Sequence, residues 1–78
     1  MMNYEKLIMY LQNAIKELRN AEEMLGEFLE NINVENEIYD EYGFEREKIR
    51  EIEKVIDELE DIIYELKWER EKLKILFN

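Results

Sequence analysis

The sequence predicts an all-α fold: an antiparallel hairpin of two long helices, joined by a short connecting helix or loop and paired with a second copy into a four-helix bundle. Three observations point there. The 78-residue chain has no proline and only two glycines, Gly26 and Gly43, and is dominated by Glu, Leu, Ile, Lys and Asn, a composition that favours long unbroken helices over a sheet. Apolar residues recur at helical spacing along two long stretches. Both apolar stripes are also wider than one neighbouring helix needs, and 78 residues form one domain too small to bury much surface alone.

The first helix is expected over about residues 3–31. Tyr4, Leu11, Leu18, Leu25 and Ile32 repeat with a step of seven, flanked by Leu7, Ala14, Ala21 and Phe28 on one side and by Ile8, Ile15 and Leu29 on the other. Ala14 and Ala21 are small enough to let another helix approach closely. The pattern continues past Gly26, so the helix is expected to run through that glycine at a cost of about 1 kcal/mol relative to alanine.

A connector follows over about residues 33–44, within "NINVENEIYDEYGF". Asn33 can cap a new turn and Gly43 can close it, which makes a short helix over 34–42. In the other form, Ile38 and Tyr42 already belong to the second long helix and Gly43 is a kink. Glu35, Glu37, Asp40, Glu41 and Glu45 carry this stretch with no basic residue, interleaved with Ile38, Tyr39, Tyr42 and Phe44. The connector therefore makes an acidic, aromatic tip, with Glu35, Glu37, Ile38, Tyr39, Asp40, Glu41 and Tyr42 as candidate contact residues.

The second helix is expected over about residues 45–77. Ile49, Ile52, Ile56, Leu59, Ile63, Leu66, Leu73 and Phe77 alternate steps of three and four, interrupted at Arg70, with Val55, Ile62 and Leu76 widening the stripe. If the hairpin turns near residue 38, facing residue numbers sum to about 76. That rule sets Arg70 near Glu5 and Glu22 near Lys54, as pairs that fix register more than they add stability. A lone hairpin leaves such wide faces uncovered, so a homodimeric four-helix bundle is expected. A three-helix monomer using residues 34–42 is the runner-up.

Tyr64, Trp68 and Ile75 form a stripe off the main seam. The facing rule sets them near Met1, Met2, Met9 and Tyr10, at the end where the termini meet. Met9, Tyr10, Tyr64, Trp68 and Ile75 are thus the candidate contacts for a partner or a second copy, since aromatic and methionine side chains are favoured in protein interfaces.

Composition excludes several classes of function. With no cysteine and no histidine there are no disulfides, zinc fingers, thiol nucleophiles, Ser-His triads or Glu-x-x-His iron sites. The formal charge of −10 disfavours direct binding to nucleic acid or anionic lipid and suits a partner protein with a basic or apolar surface. No stretch is apolar enough to span a membrane or read as a signal peptide, so a cytoplasmic protein is expected. The Ile, Asn, Lys, Glu and Tyr bias suits an AT-rich genome, that of a bacterium, an archaeon or a mobile element.

The leading expectation is a non-enzymatic interaction module, an adaptor or inhibitor of a larger protein, needing no cofactor or metal. The alternative uses the recurring Glu51, Glu58 and Glu65, with Asp57, Glu60 and Asp61, as a row that imitates phosphate spacing and blocks a nucleic-acid-binding protein. A third reading starts from "EEMLGE", with Glu22, Glu23 and Glu27, set against "ELED", with Glu58 and Asp61. This resembles in outline the all-α nucleotide pyrophosphohydrolases, and the resemblance implies magnesium-dependent hydrolysis. The first motif differs in its internal spacing and only Glu22 points toward the seam, so membership of that family is not inferred.

Overall fold

The structure, a computed structural model, describes residues 3–31 and 43–77. It consists of α1 (Tyr4–Asn31) and α2 (Gly43–Phe77), packed along their lengths into a rod of 63 × 15 × 15 Å. Two ion pairs establish the antiparallel sense. Arg70 Nη1 lies 2.8 Å from Glu5 Oε1, and Arg19 Nη2 lies 2.8 Å from Glu60 Oε2, so the partner number falls along α2 as it rises along α1. Among the described residues no helix is long and apolar enough to cross a membrane.

Asn3 starts α1 as its cap. Its side-chain Oδ1 accepts from the Lys6 backbone N–H at 3.0 Å and its carbonyl accepts from Leu7 N–H at 3.1 Å, satisfying donors that the first turn leaves unpaired. The helix then runs through Gly26 as its periodicity requires. A Cβ built on Gly26 meets nothing within 4 Å. Gly26→Ala is accordingly expected to stabilise the fold by about 1 kcal/mol, read as a higher urea midpoint at unchanged slope.

α2 begins two residues ahead of the start read from sequence, with Gly43 and Phe44 in its first turn. Lys48 holds the exposed Phe44 there, its Nζ 5.1 Å from the ring centroid, and also bonds the Glu51 carboxylate at 3.1 Å. The two forms considered for residues 34–42, and the acidic tip of Glu35, Glu37, Ile38, Tyr39, Asp40, Glu41 and Tyr42, lie outside the described residues.

The buried core is four isoleucines, Ile8 and Ile15 on α1 with Ile56 and Ile63 on α2, edged by Leu11, Leu18, Ile52, Leu59 and Leu66. This shifts the seam of α1 from the reading by sequence, which centred it on the Tyr4–Leu11–Leu18 row. One neighbouring helix covers two adjacent rows, and α2 covers the Ile8 and Leu11 rows. The third row, Leu7, Ala14, Ala21 and Phe28, stays at the margin, with Ala21 and Phe28 exposed.

Arg70 interrupts the isoleucine row of α2 where the sequence has it, and its pairing with Glu5 follows the facing rule. Glu5 is well exposed, so the contact contributes only about 0–1 kcal/mol and acts mainly on register. The other expected pair does not form. Glu22 shares the row of Ile8 and Ile15 and is half-buried, whereas Lys54, two residues from the buried Ile56 and therefore roughly 200° around the helix, points outward and is exposed.

Candidate interaction surface

The direction of Trp68 follows from helix geometry. At about 100° per residue, it stands roughly 140° around α2 from the buried Ile63, on the side away from α1. Ile75, seven residues on, continues the same stripe, and Tyr64 precedes Trp68 by one turn. All three are open to solvent, Tyr64 at 72%, Trp68 at 68% and Ile75 at 79% exposure. Tyr64, Glu65, Trp68 and Glu69 together line an open concavity on this outer side. Two aromatic walls beside two carboxylates suit an apolar or a cationic side chain, the latter through both charge and the ring faces.

Met9 and Tyr10 are also half exposed; Met9, one residue after Ile8 as Tyr64 is one after Ile63, falls on the same long side of the hairpin as Tyr64, whereas Tyr10, about 100° further on, turns away. Met9 lines a groove between the helices with Gln12, Lys67 and Arg70, and Tyr10 lies under Lys6, whose Nζ is 5.9 Å from the ring centroid. The facing rule relates residues by height along the hairpin. It says nothing of rotation, and rotation carries Tyr10, though not Met9, away from the stripe of Tyr64, Trp68 and Ile75. Met1 and Met2, grouped with them by sequence, lie outside the described residues.

Glu51, Glu58 and Glu65 form an exposed edge along α2, with Asp57, Glu60 and Asp61 also exposed. The carboxylates of the pyrophosphohydrolase-like reading are not gathered: among the described residues no group of three or more could hold a metal ion. Glu22 is half-buried at the seam, while Glu23, Glu27, Glu58 and Asp61 face solvent.

The residues that widen the two stripes form a second apolar surface. Val55 and Ile62, read as widening the seam of α2, are each 42% exposed, and Phe28, Met24 and Leu76 are exposed as well. The signal was available. Leu7, Ala14, Val55 and Ile62 each stand one residue before a buried isoleucine, a displacement of one row off the seam in both helices. No protein-family model, curated protein or solved structure matches the chain.

Proposed function

We propose that the chain is a small non-catalytic interaction module, an adaptor or inhibitor that works as a homodimer and holds a larger protein by the Tyr64–Trp68–Ile75 stripe. The observation that carries this reading is the exposed indole in the wall of a concavity on the side of α2 turned away from α1. Tryptophan and tyrosine head the residues on which binding energy concentrates. Glu65 and Glu69 beside the rings favour a basic or apolar segment of the partner.

The test uses the one tryptophan of the chain. Its emission is expected to shift to the blue when a partner recovered from the native host is added. Trp68→Ala is expected to weaken that capture by roughly 30-fold or more, as for a hot-spot residue, while helicity and melting stay unchanged. Undiminished capture by Trp68→Ala would refute the assignment.

A second reading draws on the exposed row of Glu51, Glu58 and Glu65. Seven residues of helix advance about 10.5 Å, about three times the roughly 3.4 Å axial spacing of phosphates along one DNA strand. Such a row would let the chain occupy a nucleic-acid-binding protein in place of its ligand. That reading requires DNA or RNA to displace the chain from its partner, and affinity to fall steeply with salt.

A further inference from the structure

The hairpin has two long sides, and they differ. On one, Gln12, Arg19, Glu60 and Lys67 flank the seam, and the Arg19–Glu60 ion pair closes over it. On the other stand the residues one position before each core isoleucine or its heptad equivalent. Because the helices run antiparallel, those residues of α1 and α2 fall on the same side. By the facing rule they pair in height: Ala14 with Ile62, Ala21 with Val55, Phe28 with Lys48, and Leu7 with Glu69.

We infer that a second copy of this chain docks on this apolar side, with the two-fold axis parallel to the helices. The inference deepens the dimer part of the reading above and is independent of what covers Trp68. Three features single out a second copy as the occupant. The apolar levels of this side, from Leu7 to Phe28, run without a break over about 32 Å of helix on a rod 15 Å wide, a continuous strip of the length that a second hairpin can lie along. It is complementary to itself, since rotation about that axis brings the small Ala14 and Ala21 of one copy against the branched Ile62 and Val55 of the other. It is also nearly free of carboxylates, so two chains of formal charge −10 can meet there.

Charge further selects the axis. The acidic edge of Glu51, Glu58 and Glu65 borders this side of α2, and the matching edge of α1 carries Tyr10, Glu17 and Met24. With the axis parallel to the helices, the acidic edge of each copy lies beside the α1 edge of the other, and only Glu17 and Glu58 come level as like charges. Turning one copy end over end would instead lay the two acidic edges against each other. The favoured arrangement also makes every neighbouring helix antiparallel.

The experiment is sedimentation equilibrium on the full chain, with circular dichroism as the check on folding. The unaltered chain is expected at twice its 9.7 kDa mass. Val55→Glu with Ile62→Glu is expected to fall to one chain mass, and Trp68→Glu, off this side, to remain at two. A monomeric unaltered chain would overturn the inference, as would a dimer lost in Trp68→Glu and kept in the double variant. Should the double variant unfold, a spin label on Lys74→Cys decides. The parallel axis holds both labels at one end of the bundle, whereas an axial separation of about 45 Å would overturn it.

Discussion

Replacing Ile56 by alanine is expected to lower the unfolding free energy by about 2–5 kcal/mol. Ile56 is the most enclosed side chain described, at 3% exposure, and one of four buried residues among those described. Truncation there removes the enclosed part of one of the four core isoleucines and leaves a void that two rigid helices do not readily close. Small domains often have little more than about 5 kcal/mol in reserve, so the variant is expected to lose its folded baseline in a urea titration. The comparison must be made at fixed protein concentration, because dimer formation adds a concentration-dependent part to the measured stability. Leu59, in the same apolar row by sequence, edges the core half-buried, and Leu59→Ala is expected to cost less. A loss below about 1 kcal/mol for Ile56→Ala would contradict the enclosure of that side chain.

Glu22→Leu is expected to act in the opposite direction. Glu22 occupies the row of Ile8 and Ile15, is half-buried, and has no ion pair across to α2. Leucine there would extend the apolar row toward Ile56 and replace a half-buried carboxylate at the seam. A gain on the order of 1–2 kcal/mol is expected from the added apolar burial, equivalent to a rise of roughly 4–8 °C in Tm per kcal/mol for a domain of this size. A thermal melt at fixed concentration checks it. An unchanged or lowered Tm would show that the carboxylate does not lie at the seam.

The two long helices, their antiparallel pairing and the contact of Arg70 with Glu5 were all legible in the residue pattern. Heptad spacing sets which residues share a row, and the sum rule sets which rows share a height. Neither quantity contains the rotation of one helix about its axis relative to the other. That missing angle explains the errors. It decides that α2 rests on the Ile8 and Leu11 rows with the Ala14 row at the margin, that Lys54 turns away from Glu22, and that Tyr10 stands apart from Trp68. The outward direction of Trp68 was readable because it depends on α2 alone, through its spacing from Ile63 and Leu66. A site made within one helix can be found from its own periodicity. A site made between helices needs the angle.

The outer stripe sits in the second half of a helix about 52 Å long in a 63 Å rod. A globular domain of 100 residues has a radius of gyration of only about 13 Å, so a protein gripping the indole would leave the opposite extremity out of its reach. Anything fastened at that extremity would be kept at a set distance from the first guest, and the hairpin would serve the pair as a ruler.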